Sequence, residues 1–426
     1  MIAGEKATDV LVVGAGIAGM EASLLLAEAG RRVHLVEKTS AIGGMVTKCE
    51  EVFANMECAT CMVSPKQQAI LQNDRIELVT LGEVVGVAGS AGDFTVRVKQ
   101  RAGYVDPVSC IGCAQCFEAC PVKIPNEFEE RLGQRAAISV PCAGALPNVP
   151  YVDTEHCLRF TKGEECTVCQ EACVFGAVDF SQKDEEKELH VAAILMATGF
   201  ELLKAPELER YGYGKIPGVH TAHEFERLFA SNGPTTGELV LRDGRAPETA
   251  AVVHCVGRDE KDYCSGVCCM YSLKFAHYFK KKLPEARVVQ LYRDLCVPGK
   301  SYQRFCERTQ EHGGELLRTP EVEISGQNGK VSVSYPDGGG GRQNLDVDMV
   351  VLSPAMVPSA GTAEVADLLD LPRDEAGFLV EAEAAAPASS PKPGVYVAGC
   401  AGGPVDIQGA VAQAEAAVAG ILTQGD

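Results

Sequence analysis

The hydrophobic pattern of the first forty residues is typical of a strand, a helix and a second strand. An apolar run at 10–13 leads into the turn GAGIAG, an apolar-faced stretch that reaches residue 28, and a second apolar run at 33–36. Short apolar runs beside a glycine turn predict buried strands, and the longer stretch between them predicts a crossover helix. We therefore expect a β-α-β unit at the start of the chain.

Later segments repeat this pattern. The segment 190–203 predicts a strand, and 393–422 predicts a strand, a glycine turn and a long helix of small residues. A strand, a turn, a helix and a strand restart at residue 248, so the predicted fold class is α/β with two dinucleotide-binding domains. The expected division is 1–103 for the first part of an FAD-binding domain, 104–184 for an inserted domain, 185–247 for the second FAD part with a linker, 248–342 for a degenerate NAD-type domain, and 343–426 for the C-terminal FAD part.

The turn after the first strand carries a dinucleotide fingerprint. Gly14, Gly16 and Gly19 form G-x-G-x-x-G, and Glu37 ends the second predicted strand. The glycines permit a tight turn, a close approach of the backbone to a pyrophosphate, and close packing of the helix on the strand. A carboxylate at the end of the second strand accepts hydrogen bonds from ribose hydroxyl groups. Together these features predict a bound dinucleotide.

The later segments favour FAD over NAD as that dinucleotide. Each provides a strand end and a turn of the kind that completes a flavin site, and the last helix would aim its N-terminus at the flavin or its phosphates. The alternative for 393–422 is an ordinary strand and helix. The other residues assigned to the cofactor are Lys38, Gly44, Ala197, Thr198, Gly199, Gly399, Asp406 and Ile407.

Composition bears on compartment and partners. The chain has 426 residues, a net charge of −19 and 19 cysteines. This negative net charge disfavours binding to nucleic acid, so we expect the partners to be proteins. No apolar run is long enough for a membrane span and the start shows no secretion signal, so we expect a cytoplasmic location. In a reducing compartment, clustered cysteines are more often metal ligands or redox groups than structural disulfides.

Eight cysteines in the inserted block form two four-cysteine motifs. In bacterial ferredoxin runs the fourth cysteine of a motif ligates the other cluster. We therefore assign one [4Fe-4S] cluster to Cys110, Cys113, Cys116 and Cys173, and a second to Cys120, Cys157, Cys166 and Cys169. Zinc is the alternative ion for four thiolates. Val174 stands where the second motif would usually have proline, which affects the expected potential and exact ligation of the second cluster.

Two further cysteine groups lie outside the insert. The turn of the second dinucleotide domain reads CVGRDEKDYCSGVCC at 255–269, without a glycine loop, so this domain is not expected to bind a nicotinamide nucleotide. Its thiols are either cluster ligands or buried redox thiols. The segment ECATC places Cys58 and Cys61 in C-x-x-C with Cys49 nearby, which indicates either a dithiol facing the flavin or partial cluster ligation.

Several of these motifs together resemble a known family. GAGIAGMEASLLLAEAG, ECATCMVSPK, CIGCAQCFEACPVKIPNEFEERLGQRAAI, CLRFTKGEECTVCQEACVFGAVDF, CVGRDEKDYCSGVCCMYSLK and GCAGGPVDI are similar to the HdrA-like flavin subunits of CoB-CoM heterodisulfide reductase, over nearly the whole chain. The resemblance implies a thioredoxin-reductase-like fold with FAD and several [4Fe-4S] clusters. It also implies a further cluster on Cys255, Cys264, Cys268 and Cys269.

The same resemblance suggests the setting in which the chain works. The corresponding methanogen subunits look longer at both ends, so separate subunits are expected to supply the route to outside donors. The predicted function is an FAD and iron-sulfur electron-transfer subunit, the flavin hub for electron bifurcation or confurcation, with partners from a heterodisulfide-reductase-like or benzoyl-CoA-reductase-like complex and possibly ferredoxin. The alternatives are a stand-alone disulfide or NAD(P)H reductase that uses Cys58 and Cys61, and an iron-sulfur scaffold with a vestigial flavin site.

Overall fold

The computed structural model describes residues 8–163, 165–327, 329–383 and 386–423. The predicted domains 1–103, 104–184, 248–342 and 343–426 each include residues that lie outside this description. The chain forms two compact units: the first contains the residues up to 47, 62–199 and those from 358 onward, and the second contains 48–61 and 200–357. No helix in the described part of the chain has the length and apolar character needed to traverse a lipid bilayer.

This division differs from the predicted domain boundaries in three places. Residues 48–61, 200–247 and 343–357 group with the second unit, although the sequence assigned them to the FAD-binding domain. The strand Met349–Pro354 pairs in parallel with Thr249–Val256 and is therefore central to the second unit. Residues 48–61 are attached there by side chains of the second unit, described below.

The first unit contains a parallel sheet of five strands, and all of them except the edge strand Ile76–Val79 are buried along their whole length. Val10–Val13 lies at its centre between Ala193–Met196 and Val33–Val36, and the helix Ile17–Glu28 connects the two N-terminal strands. This confirms the predicted β-α-β unit. Val395–Val397 and Ile76–Val79 form the edges. The remaining elements are the antiparallel strands Gly82–Ser90, Asp93–Gln100 and Glu185–Val191, the helices Ala59–Leu71, Ala360–Leu368 and Ile407–Thr423, and the 3-10 turns Gly44–Lys48 and Gly399–Ala401.

The inserted block leaves and re-enters the first unit at two neighbouring strands. Gln100 ends one antiparallel strand and is paired with Glu185, which begins the next, and a bridge between Val105 and Val178 closes the base of the insert. Because both connections lie side by side, the block is added without interrupting the sheet. Its elements are short: the strands Lys123–Pro125, Gln134–Ala136, Ile138–Ser139 and Tyr151–Val152, and the helices Gln115–Ala119, Leu158–Thr161 and Val168–Glu171.

The second unit repeats the architecture of the first. Its five-stranded parallel sheet has the order Val219–Thr221, Met349–Pro354, Thr249–Val256, Arg287–Tyr292 and Gly314–Arg318. A three-stranded antiparallel sheet again accompanies it, which agrees with two related dinucleotide-type domains. The other elements are the strands Glu51–Val52, Glu57–Cys58, Phe200–Leu202, Glu323–Gln327, Lys330–Pro336, Arg342–Val347 and Met356–Pro358, the 3-10 turn Ala205–Tyr211, and the helices Ala222–Phe229, Arg258–Lys261, Cys268–Lys282 and Lys300–Glu311.

Candidate functional site

The three glycines of the N-terminal turn occupy different environments. A Cβ atom on Gly14 would lie 2.3 Å from the carbonyl oxygen of Ala197, and one on Gly19 would lie 1.9 Å from that of Gly14. A Cβ atom on Gly16 would meet nothing within 4 Å. Gly14 and Gly19 therefore serve close packing, whereas Gly16 borders open space at the N-terminus of the helix that begins at Ile17. This arrangement fits a pyrophosphate, which helix N–H groups bind.

Glu37 lies at the edge of this turn. One carboxylate oxygen accepts a hydrogen bond from the N–H of Ala15 at 2.8 Å. The other accepts hydrogen bonds from the N–H of Thr39 at 2.9 Å and from the Thr39 hydroxyl at 2.8 Å. These bonds fix the carboxylate beside the glycines. The first oxygen retains a lone pair for a ribose hydroxyl, since a carboxylate has about four acceptor positions.

Gly44 and Lys38, which the sequence also assigned to the cofactor, lie in different surroundings. Gly44 has a φ of +59°, and a Cβ atom there would lie 2.9 Å from the Cα of Gly16, so it packs on the glycine turn. The ammonium of Lys38 instead forms exposed ion pairs with Glu364 at 3.3 Å and Glu83 at 3.7 Å. Its assignment to the cofactor stays a prediction.

The segment after the strand Ala193–Met196 faces the same turn. Ala197 contacts Gly14, and the hydroxyl of Thr198 lies 2.6 Å from that of Thr362. The hydroxyl of Ser359 donates to the carbonyl of Thr198 at 2.9 Å. Thr362 and Ser359 were not predicted from the sequence, because isolated hydroxyl residues some 160 positions away carry no spacing signal.

The C-terminal turn completes the candidate flavin site. A Cβ atom on Gly399 would lie 3.1 Å from that of Ala18 in the first helix. A carboxylate oxygen of Asp406 accepts the N–H of Gly409 at 2.8 Å, so this side chain caps the helix that begins at Ile407. The structure thus gives Asp406 a capping role, and its contact with the cofactor stays a prediction.

The first cysteine set of the insert surrounds one cavity. The cavity is small, about 20 Å³, and is otherwise lined mainly by apolar residues. Burial, together with the neighbouring thiols of Cys110 and Cys173, raises the pKa of Cys116 to about 11. The cysteines that the structure brings together here are Cys110, Cys113, Cys116 and Cys173.

The second set surrounds a separate cavity of the same size. Its volume is also about 20 Å³, and its lining is apolar. Burial and the neighbouring thiols raise the pKa of Cys169 to about 12. The cysteines on this cavity are Cys120, Cys157, Cys166 and Cys169. The exchange of the fourth cysteine between the motifs is therefore present in the geometry.

The spacing of these thiols bears on the zinc alternative. A Zn²⁺–S bond of about 2.3 Å requires four thiolates within roughly 4 Å of one another. Among the described residues, no group of three or more His, Cys, Asp or Glu residues is arranged to hold a single metal ion. Each set lines a cavity of its own, and the choice between zinc and an iron-sulfur cluster stays a prediction.

The third cysteine set lies where the second unit replaces a glycine loop. Cys255, Cys264 and Cys268 line a cavity of about 10 Å³, and Cys269 follows in the helix Cys268–Lys282. A hydrogen bond between the two adjacent thiols lowers the pKa of Cys269 and raises that of Cys268. The N–H of Cys296 also donates to the Sγ of Cys269 at 3.3 Å. The four predicted residues are thus near one another, although Cys269 does not line the cavity.

His254 is a neighbour of this set that was not predicted from the sequence. Its Nε2 lies 2.5 Å from the amide oxygen of Gln290, and the amide nitrogen of Gln290 donates to the carbonyl of Ser272 at 2.8 Å. His254 also contributes to the lowered pKa of Cys269. In the sequence it is a single polar residue in an apolar strand, a pattern that usually marks a core histidine.

Cys58 and Cys61 are separate from all three sets. They form a disulfide in the second unit, and both residues are exposed. Cys49 lies nearby in the sequence and is not part of a disulfide. Burial raises the pKa of Cys49 to about 12, and Glu226 adds to the shift.

The chain has recognisable relatives. The family described as FAD dependent oxidoreductase matches residues 9–130. The A subunit of the H2:CoB-CoM heterodisulfide, ferredoxin reductase of Methanothermobacter thermautotrophicus is 37% identical over 96% of this chain and 62% of its own length. The chain is a homologue of this heterodisulfide reductase component. The resemblance predicted from the sequence is confirmed.

Further relatives and solved structures agree with this relationship. The iron-sulfur A subunit of the CoB-CoM heterodisulfide reductase of Methanocaldococcus jannaschii is 36% identical over 96% of this chain and 63% of its own length. The chain therefore spans less than two thirds of these two relatives. Thioredoxin reductase from T. acidophilum has a similar fold, with a TM-score of 0.54, 14% identity and 99% coverage of both chains. The predicted class, an oxidoreductase subunit with a flavoprotein fold, is confirmed at this level.

Proposed function

We propose that the chain is the FAD and iron-sulfur electron-transfer subunit of a larger heterodisulfide-reductase-like complex. The observation that supports this most directly is the pair of apolar cavities in the insert, each lined by four cysteines drawn from both motifs. Such interleaving is typical of two-cluster ferredoxins. When bound, FAD supplies the exchange between two-electron and one-electron transfers, and the clusters carry single electrons.

Different residues of the chain would bind the FAD and the clusters. The N–H groups at Gly16 and the following helix bind the pyrophosphate, and Glu37 orients the ribose. The apolar linings of the two cavities exclude water from the clusters, which influences their reduction potentials. In the second unit, Cys255, Cys264, Cys268 and Cys269 would hold a third cluster, with Cys296 donating an N–H to the sulfur of Cys269.

We further propose that the subunit is the flavin hub for electron bifurcation or confurcation. Dividing an electron pair needs two separate one-electron exits, and each unit has its own cysteine set. The partners would be other electron-transfer subunits of a heterodisulfide-reductase-like or benzoyl-CoA-reductase-like complex, with ferredoxin as a further candidate, and the proposed location is the cytoplasm.

The test is anaerobic analysis of iron, acid-labile sulfide and flavin in the purified chain, followed by addition of NADH. We expect about twelve irons and one FAD per chain, since each [4Fe-4S] cluster contains four irons. We also expect no bleaching of the flavin by NADH, because cysteines replace the second glycine loop.

The alternative of a stand-alone reductase is favoured only by the Cys58–Cys61 disulfide. It predicts fast bleaching by NADH. That result, together with four irons or fewer, would refute the proposed function.

A further inference from the structure

Exposed apolar side chains are concentrated in the inserted block. Eight large apolar residues are exposed in the part of the chain that the structure describes, and six of them lie between positions 108 and 175. Single exposed apolar residues are ordinary on protein surfaces, whereas a group of them marks an interaction site. Four of the six flank cysteines of the first set and form what we call the apolar patch: Val108, Ile111, Val174 and Phe175.

The apolar patch lies at the cavity of the first cysteine set. Ile111 and Phe175 line that cavity together with its four cysteines. The two segments that carry the patch run side by side, because Val105, just before the first segment, forms a bridge with Val178, just after the second. A protein that binds the patch would therefore approach a cluster in this cavity directly.

Hydrogen bonds hold the patch in its exposed position. The carboxylate of Asp106 accepts a hydrogen bond from the N–H of Val108 at 3.0 Å. The N–H of Gly176 donates to the carbonyl of Cys173 at 3.0 Å and closes the turn that contains Val174. Val108 and Val174 are 92% and 81% exposed. The fold therefore fixes these apolar side chains on the surface.

A loop of the insert connects the first cysteine set to the candidate flavin site. The N–H of Ile42 donates to the carbonyl of Leu146 at 2.8 Å, and the N–H of the next residue, Gly43, donates to the carbonyl of Ala15 in the glycine turn at 2.8 Å. Pro150, in the same loop as Leu146, lines the first cavity. The first set is thus linked to the flavin site through this loop and borders solvent at the patch.

The segments around the patch carry no charge. The stretches 107–117, 141–152 and 172–178 contain no Asp, Glu, Lys or Arg, and each charged residue that directly bounds one of them is acidic. The stretch around the second cysteine set, 155–171, contains charged residues of both signs. Mobile electron carriers are captured by complementary charge, and an acidic carrier finds no cation here. An apolar and uncharged surface instead suits a partner that stays bound.

We propose that the apolar patch is the binding surface for a permanently associated electron-transfer subunit whose own contact face is apolar and uncharged. The patch would form the dry centre of that interface. Single electrons would cross it between a cluster in the first cavity and the redox cofactor of the partner, with no bond formed or broken. This inference rests on the proposed function, because the first cavity must hold a cluster for such a transfer.

The first test compares the native complex with the chain produced alone, which retains its own cofactors. Both are labelled anaerobically with a photochemical carbene reagent in about 1 M NaCl, which screens charges beyond about 3 Å. We expect labelling of Val108 and Val174, read by mass spectrometry, to be at least about tenfold lower in the complex, since the centre of a stable interface excludes solvent and reagent.

The second test places a charge on the patch. Val108→Asp and Val174→Asp alter exposed side chains, so both variants should fold and keep the iron content of the wild type. Each should raise the dissociation constant for the partner at least about a hundredfold in gel filtration, because an unpaired carboxylate in a dry interface is costly. The matched control is Leu71→Asp, since Leu71 is 40% exposed and lies outside the insert, and this variant should keep the partner.

Several outcomes would overturn the proposal. These are equal labelling of the patch in the complex and in the chain alone, and a complex that survives both substitutions. A partner that is released in about 1 M NaCl would indicate a charge-steered carrier instead. A chain that dimerises by itself through the patch would indicate a second copy as the occupant. An iron-free wild-type chain would refute the proposed function whatever the labelling shows, so the two failures are distinguishable.

Discussion

The Gly16→Ala substitution separates cofactor binding from folding. Gly16 has a φ of −74°, which alanine adopts without strain, and the added methyl group would meet no atom within 4 Å. The free energy of unfolding of the flavin-free protein should therefore stay the same or rise by about 0.4–1 kcal/mol, because alanine restricts the unfolded chain. The methyl group would, however, occupy the space proposed for the pyrophosphate.

The expected loss of FAD affinity follows from the contacts involved. Displacing the phosphates from the helix N-terminus costs one or two charge-assisted hydrogen bonds, at about 1.5–3 kcal/mol each. A loss of about 3 kcal/mol corresponds to a dissociation constant raised more than a hundredfold. FAD titration of the flavin-free protein, followed by flavin fluorescence, measures this constant, and urea unfolding measures the stability.

The comparison variant is Gly19→Ala. Its methyl group would lie 1.9 Å from the carbonyl oxygen of Gly14, so the helix must shift, and we expect both stability and FAD binding to fall. A Gly16→Ala protein that binds FAD as the wild type does would refute the assignment of this open space. A Gly16→Ala protein that is strongly destabilised without flavin would refute the packing argument.

Three further predictions concern the clusters, pH dependence and the buried charges. Cys173→Ser and Cys120→Ser should each remove about four irons but abolish different electron paramagnetic resonance signals, because the two residues line different cavities. Burial lowers the pKa of His223 to about 3, against about 6.5 when unfolded, so below pH 6.5 the unfolded chain binds a proton that the folded chain does not. The free energy of unfolding should fall by about 1.4 kcal/mol for this histidine between pH 7.5 and 5.5, as measured by urea unfolding against His223→Gln. Lys274→Met should cost about 3–5 kcal/mol by leaving a buried carboxylate unpaired, whereas Lys281→Met, which removes an exposed ammonium, should cost less than about 1 kcal/mol.

Each of these has a contrary result. Loss of the same signal in Cys173→Ser and Cys120→Ser would exclude the interleaved assignment. An identical pH dependence in His223→Gln and the wild type would show that folding does not lower the pKa of this histidine. Equal costs for the two lysine variants would mean that Lys274 is solvated.

The sequence was most informative where chemistry depends on spacing. The glycines at 14, 16 and 19 predicted the turn between strand and helix: Gly14 and Gly19 leave no room for a Cβ atom, whereas Gly16 borders the open space proposed for the pyrophosphate. The interval between cysteines likewise predicted that Cys120 and Cys173 exchange cavities. Both predictions use local intervals, which a single sequence displays directly.

The features that escaped prediction depend on distant polar contacts. Residues 48–61 group with the second unit, where Lys274 and Arg227 donate to their carbonyls. A lysine within a helix normally indicates a solvated face, so its burial is invisible in the hydrophobic pattern. His254 was missed for a similar reason, since its partner Gln290 lies on another strand.

The inserted block is attached to the rest of the chain at a single position, between two neighbouring strands. Gln100 and Glu185 are neighbours across two antiparallel strands, so the eighty-odd residues between them occupy the position of an ordinary hairpin turn. A two-residue turn of the type found in common hairpins would close the same strand pair. The block therefore occupies the position of one hairpin loop, and a gene for a protein of this architecture could acquire or lose it in a single insertion or deletion event.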